Sequence, residues 1–276
     1  MNQEPLIRVA FFLALLALFG CWELLAPRRA CRGSRPFRWA ANLLLVIVDT
    51  LTLRAVAAVW TAGLAMGAAL LAEEHAIGLH YALKVPYWPA AILSIVILDF
   101  VVYAQHVAFH KVPLFWRVHK VHHSDVGVDV STALRFHPIE IFLSMQVKVA
   151  VILLFGMPAL AVLIFEVLLN GMAMFNHANI RIPVKLDVVM RLLVVTPDMH
   201  RVHHSVHQDE TDSNFGFNLS LWDRICRTYR PQPRDGHETM GIGLAAYQRP
   251  EEQNLAWILA LPFRSQRPAP ARERRH

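Results

Sequence analysis

Two short stretches of this chain carry the same imidazole pattern. Val118–Ser124 reads VHKVHHS, and Met199–Ser205 reads MHRVHHS. Each is an HxxHH followed by a serine, giving His119, His122 and His123 in the first and His200, His203 and His204 in the second. HVAFH adds His106 and His110. On a helix, residues four apart share a face, so each motif aims two or three ring nitrogens at one centre. Neutral imidazole is the commonest protein ligand for first-row metals. A single ion takes about four to six ligands, so these histidines are too many for one ion and match two. The chemistry to expect is a dinuclear metal site.

Around this set stand less certain members. His177, in FNHAN, is expected as a ninth ligand. His137, in RFHPIE, opens a helix before a proline and is read either as a ligand or as a residue supporting one. Ligating imidazoles usually donate their second N–H to a carboxylate or carbonyl. Asp99, two turns before His106, and Asp198 are candidates for that task, with Asp125, Asp129, Glu140 and Asp209. His75, His80, His237 and His276 fall outside the motifs and read as ordinary interfacial or solvent-facing residues.

The elements that must position these rings are apolar helices. Of 276 residues, 55% are hydrophobic and 17% charged, and the mean hydropathy is +0.36. A soluble domain would carry about 25% charged residues. The deficit comes in blocks, which indicates an integral membrane protein. The net charge of +6 is not arranged as a basic patch interleaved with aromatics, which argues against nucleic acid. Its arginines read as topology signals and contacts with anionic headgroups. The three cysteines form no CxxC pair, against a zinc ribbon, an iron–sulfur cluster or a thioredoxin-like site.

A first span is expected over Leu6–Pro27. Arg28, Arg29, Arg32, Arg35 and Arg38 follow, and the positive-inside rule places that loop in the cytoplasm and the N-terminus outside. Ala40–Ala72 is apolar except for Asp49 and Arg54. As one helix it would extend about 50 Å; it is either one long helix that protrudes or two short ones, and one crossing, which keeps the histidine-rich region on the cytoplasmic side, favours the protruding helix, with Asp49 and Arg54 near each other. A third span covers Pro89–His110. Ile139–Asn176 is apolar again, broken by Gly156–Pro158, and reads as a helical hairpin. That hairpin returns the chain to the side it left, so both HxxHH copies lie on one face of the membrane. Lys185–Val195 reads as an interface-lying helix, and Pro262–His276 as a disordered tail. The expected fold is therefore an all-α membrane bundle of about three spans plus a hairpin, with a cytoplasmic histidine-rich helical cap. Residues 1–98 form N-terminal membrane helices, 99–230 the catalytic unit and 231–276 a C-terminal segment.

DFVVYAQHVAFHKVPLFWRVHKVHHS, STALRFHPIE, FNHANI, TPDMHRVHHS and NFGFNLSLWDRICRTY together resemble the fatty acid hydroxylase superfamily, also called the sterol desaturase family. One departure is RICRTY, where bacterial relatives often read LFGTY. The resemblance implies a histidine-bound di-iron centre that activates O2 and hydroxylates or desaturates an unactivated C–H bond in a lipid. It implies His106, His110, His119, His122, His123, His200, His203 and His204 as metal ligands, with His177 added. Ser213–Arg224, including Asn214, Trp222, Asp223 and Arg224, would flank the site as a packing element. The lipid would be a sterol, fatty acyl chain, ether lipid or carotenoid reaching the site from the bilayer. No GxGxxG or CxxCH motif is present, so a separate reductase or ferredoxin-like electron donor is implied. Two other readings compete. A zinc-dependent membrane hydrolase would share imidazole ligands, and zinc could occupy the site in purified protein; but zinc hydrolases use about three protein ligands, and no HExxH appears. A metal transporter or storage protein would place its ligands near the middle of the bilayer, whereas these clusters follow a span.

Overall fold

A computed structural model describes residues 4–60 and 64–265. The protein is all-helical, with no strand among the described residues. Its helices, in order, are α1 (Glu4–Leu25), α2 (Arg35–Val59), α3 (Ala65–His75), α4 (Leu79–Ala82), α5 (Tyr87–Lys111), α6 (Pro113–His123) and α7 (Pro138–Phe155). They continue as α8 (Ala159–His177), α9 (Val184–Met190), α10 (Pro197–His203), α11 (Gln208–Thr211), α12 (Leu221–Ile225) and α13 (Leu255–Ala260). Five of them, α1, α2, α5, α7 and α8, are long and apolar enough to cross a membrane, and the chain is an integral membrane protein. These five are the three spans and hairpin expected from the sequence.

The hairpin turns where Gly156 adopts the left-handed conformation (φ 69°) as the C-cap of α7. A Cβ there would lie 2.2 Å from the Ile77 carbonyl oxygen, and one on Gly78 would lie 2.1 Å from the Gly156 nitrogen. Only glycines allow this contact between α4 and the hairpin tip. The α7–α8 hairpin thus carries its tip at one end of the bundle and both its termini at the other, with the histidines.

The run Ala40–Ala72 is not one protruding helix. It breaks after Val59, where Trp60 is extended, and restarts at Ala65. The break keeps the chain within the hydrocarbon thickness. It lets α3 lay Ala65, Ala68 and Ala69 against Val149, Ile152, Val162 and Phe165 of the hairpin. In lipid such small residues let helix backbones approach closely, and packing replaces hydrophobic drive. Asp49 is buried and Arg54 exposed. Five residues put them on different faces of the helix, and among the described residues no ion pair joins them.

The loop arginines also differ from expectation, because most are used inside the protein rather than on headgroups. Arg38 is buried and ion-paired with Asp125 (2.7 Å) and Asp129. Arg28 pairs with Asp198 (3.2 Å), Arg35 with Glu23 (2.5 Å), and Arg29 donates to the Met240 carbonyl (2.8 Å). They bind the α1–α2 loop to the histidine-bearing end. Helix α9 is present, with Leu186, Val188 and Val189 exposed and Asp187 buried against Arg191 at 2.5 Å. The C-terminal segment packs back onto the bundle over its described residues. Trp257, Ile258 and Leu261 pack with Ala41, Leu45 and Val121, and Pro262, expected in the tail, is buried with its carbonyl accepting from Arg117 Nε (2.9 Å). The rest of the expected tail lies outside the described residues.

Candidate metal centre

Helices α5, α6, α8 and α10 meet at the end of the bundle opposite the hairpin tip, and nine buried imidazoles converge there in two cages. His106 and His110 from α5, His119 and His123 from α6, and His203 from α10 each offer one ring nitrogen, all within 4.8 Å of one another. His122 from α6, His177 from α8, and His200 and His204 at α10 form the second cage to the same limit. The two HxxHH motifs are therefore interlocked. The outer pair of the first copy and the middle histidine of the second build one cage; the remaining three histidines, with His177, build the other.

Outer hydrogen bonds fix the rings. Nδ1 of His106 donates to the Phe215 carbonyl (2.7 Å), Nδ1 of His203 to the Ser213 carbonyl (2.8 Å) and Nδ1 of His119 to Glu140 Oε1 (2.6 Å). In the second cage, Nδ1 of His122 donates to the Arg135 carbonyl (3.3 Å) and Nδ1 of His177 to the Ala173 carbonyl (2.6 Å). With the proton assigned to Nδ1 by these partners, each Nε2 turns a lone pair inward. The buried Nε2 atoms of His106, His119, His123 and His203 have no hydrogen-bond partner. Around His177 Nε2, the Nε2 atoms of His122 and His200 stand at 3.0 Å and that of His204 at 3.3 Å. An ion about 2.0–2.1 Å from each nitrogen would space neighbouring ligands roughly 2.9–3.4 Å apart. The donor set thus fits a pair of transition-metal ions.

Electrostatics agrees. Burial, reinforced by neighbouring imidazoles, holds His122, His123, His200 and His204 well below the ordinary histidine value. Burial pushes His203 down to about 3. These rings are neutral at physiological pH, with lone pairs available for coordination. Aromatic rings close the cages: Trp116 lies 5.0 Å from the His110 ring, and Phe136 stacks on His122 at 4.5 Å.

The surrounding sequence is built to brace this arrangement. Arg135 is fully buried and donates to Val121 O, Asn42 Oδ1 and Ser124 Oγ, so the serine after the first HxxHH ties α6 to the network below it. The serine after the second copy accepts from His207 N through its Oγ (3.2 Å). Asp223 accepts from the backbone N–H groups of Phe215 and Gly216, both at 2.8 Å, and so steadies the carbonyl that orients His106. Asn214, in the left-handed region (φ 52°), donates to the Met199 and Arg230 carbonyls. Trp222 Nε1 donates to Asp99 (2.7 Å). The Ser213–Arg224 stretch thus braces the cages through these hydrogen bonds.

All nine histidines expected as ligands are brought together, and the supporting residues expected from sequence are not all in place. His137 caps α7, where Nδ1 accepts from Ile139 N and Nε2 donates to the Leu259 carbonyl, both at 3.2 Å. Both its nitrogens are used, and it joins neither cage. Asp99 holds Trp222 and Leu219 N (3.3 Å), not an imidazole of the cages. Asp198 pairs with Arg28, Arg201 and His237. Of the acidic candidates only Glu140 touches a cage histidine. His80 and His237 are buried rather than solvent-facing; His80 meets Ser94 Oγ at 3.2 Å.

Sequence reasoning missed Asp212, whose carboxylate lies 3.5 Å from His110 Nδ1. It also missed Lys148 and Glu166, half-buried charges that pair at 3.4 Å inside hairpin helices read as simply apolar. Ionisable residues within a span were the available signal. Both line a cavity of about 550 Å³ whose wall also includes His106 and His119.

Residues 91–228 match the family model described as fatty acid hydroxylase. The chain is 30% identical over 159 residues to an ornithine lipid hydroxylase of Rhizobium tropici, covering 56% of this chain and 47% of that protein. It is 28% identical over 149 residues to an alkylglycerol monooxygenase of Caenorhabditis elegans (52% and 28%) and 30% identical over 150 residues to that of Homo sapiens (52% and 31%). The chain spans less than half the length of these relatives. No solved structure gives a significant match. With the matched segment running from α5 to just past α12 and carrying every cage histidine, the chain belongs to the fatty acid hydroxylase family.

Proposed function

We infer that this protein carries out O2-dependent hydroxylation or desaturation of an unactivated C–H bond in a membrane lipid, at a di-iron centre held by the nine histidines. The observation that carries the reading is the junction of the five-histidine cage, itself beside the second, with a largely apolar cavity, through His106 and His119. Two irons would supply the oxidising power to activate O2. In hydroxylation, R–H, O2, two electrons and two protons give R–OH and water; in desaturation, the lipid gives up two hydrogens which, with O2 and the same two electrons and two protons, form two waters. The electrons come from a separate reductase or ferredoxin-like donor.

The chain's own residues set the conditions for that chemistry. Glu140 and the Phe215, Ser213, Arg135 and Ala173 carbonyls hold five imidazoles in the tautomer that turns Nε2 inward. Trp116, Phe136 and Phe215 limit water around the rings. Val102, Met145 and Leu169 line the path by which a hydrocarbon chain approaches. The positive-inside rule sets the orientation, with the N-terminus outside and the histidines and C-terminus in the cytoplasm.

Metal analysis of anaerobically purified protein, followed by turnover of membrane lipids under 18O2 with a supplied reductant, tests the reading. About two irons per chain and a product gaining one labelled oxygen, or losing two hydrogens, are expected. Product formed equally well without O2 would replace this reading with hydrolysis, and full turnover after removal of all metal would end it.

A further inference from the structure

Most polar side chains in the wall of the 550 Å³ cavity are bonded to other protein groups. Gln105 Nε2 donates to Ser144 Oγ (2.5 Å), and Lys148 pairs with Glu166 (3.4 Å). Glu140 Oε1 accepts from His119 Nδ1 (2.6 Å). Asp49, on α2, differs. It is 9% exposed and forms part of the same wall, and its Oδ1 is buried with no hydrogen-bond partner among the described residues. Glu140 lies within electrostatic reach of it, and the second oxygen of Glu140, Oε2, is also buried without a partner. Asp49 therefore stands at the end of the cavity that adjoins His119. A buried carboxyl lacking a hydrogen bond is costly, and within a span it marks a place where a partner or ligand completes it.

We propose that Asp49 accepts a hydrogen bond from a neutral donor, such as a hydroxyl, on the lipid substrate, and so holds the polar group of that lipid at the histidine end of the cavity. A carboxyl presents an acceptor oxygen whether or not it carries its proton, so the contact does not depend on the charge of Asp49. A cationic donor would be repelled by ions in the adjoining cage, and a neutral one would not. The hydrocarbon then takes the apolar part of the wall, which includes Val102, Met145 and Leu169. The carbons brought to His106 and His119 are those close to the polar group, not those at the far end of the chain. The choice of oxidised carbon rests on the oxygenase reading above, but the subsite itself is a matter of binding.

Equilibrium binding of radiolabelled hexadecan-1-ol and of its methyl ether to the purified full chain in detergent tests this, with no turnover required. Asp49→Leu is expected to weaken binding of the alcohol about tenfold, the scale of one hydrogen bond to a carboxyl, and to leave the ether within about twofold, which also shows that the variant is folded. Asp49→Asn keeps an acceptor oxygen and should retain most of the affinity for the alcohol. In the wild type, the alcohol but not the ether should shift a carboxyl band in the infrared difference spectrum, and Asp49→Asn should abolish that shift. Equal effects of Asp49→Leu on alcohol and ether, or no carboxyl shift in the wild type, would overturn the subsite. Selective loss of the alcohol in Asp49→Leu, without O2-dependent turnover by the wild type, would instead uphold the subsite and count against the oxygenase reading.

Discussion

His122 Nε2 and His177 Nε2 face each other at 3.0 Å, while the Nδ1 of each ring donates to a backbone carbonyl behind it. Two lone pairs held this way repel unless a cation sits between them. Loss of the bound metal should therefore destabilise the fold. Stripping with a chelator is expected to lower Tm by at least about 5 °C, as for loss of a ligand present at a hundred times its Kd. Thermal melts with and without added Fe(II) check this, and an unchanged Tm would remove the metal from the explanation.

The cages offer unequal numbers of candidate ligand nitrogens, five and four. His177→Ala takes one from the smaller set, and its ring touches three of its neighbours. The metal content should fall from about two ions to about one per chain, with turnover reduced at least 100-fold. Elemental analysis alongside turnover measures both, and retention of two tightly bound ions would exclude His177 as a ligand.

Glu140 makes the one carboxylate–imidazole hydrogen bond of the site at 2.6 Å. Glu140→Gln can still accept a hydrogen bond but lacks the charge that raises ligand basicity. Metal affinity or activity is expected to drop about 10- to 100-fold with the helical content intact. Circular dichroism and metal titration separate this from misfolding.

Arg38 lies between Asp125 and Asp129 with essentially no solvent access. Arg38→Ala leaves two buried carboxylates without their counter-ion and should cost about 3–5 kcal/mol. Arg32 is exposed in the loop just before α2, and Arg32→Ala should change stability by no more than about 0.5 kcal/mol. Similar thermal inactivation of the two variants would show that the loop arginines serve topology alone.

Burial lowers the His237 imidazole to about 4 even with Asp198 nearby, against an ordinary value of 6.5. The unfolded chain therefore takes up this proton first as pH falls. The stability contributed by the neutral ring is complete above about 6.5 and declines as pH drops toward 4, by about 1.4 kcal/mol per unit. His237→Gln should reduce the slope of stability against pH by about that amount across this window. An unchanged slope would mean that the ring is not buried neutral.

The sequence disclosed the convergence well because its signal is local: two or three imidazoles within five positions of a helix share a face, and a returning hairpin brings three such motifs to one end of the bundle. It also disclosed the five spans, whose apolar runs are long. Glu140 was among the carboxylates expected to support an imidazole, but which of the six would do so was hidden, because bracing depends on contacts far apart in the chain. Glu140 meets His119, and Arg38 meets Asp125, only after the helices dock. Asp99 and Asp198 looked equally suitable by spacing, but spacing along one helix does not say which neighbour lies across from it. The break at Trp60–Leu64 carries no proline; it follows from the fit of an alanine face to the hairpin, a tertiary cause. Lys148 and Glu166 were concealed by averaging over apolar windows.

The crossing-over of the two HxxHH copies has a consequence for biosynthesis. Neither cage closes until α10 has been translated, since one lacks His203 and the other His200 and His204. A nascent chain that has inserted its first eight helices has a gap in each set and no finished pocket in which to trap an ion. Maturation thus waits for α10, and truncation before residue 203 yields a protein with neither cage complete.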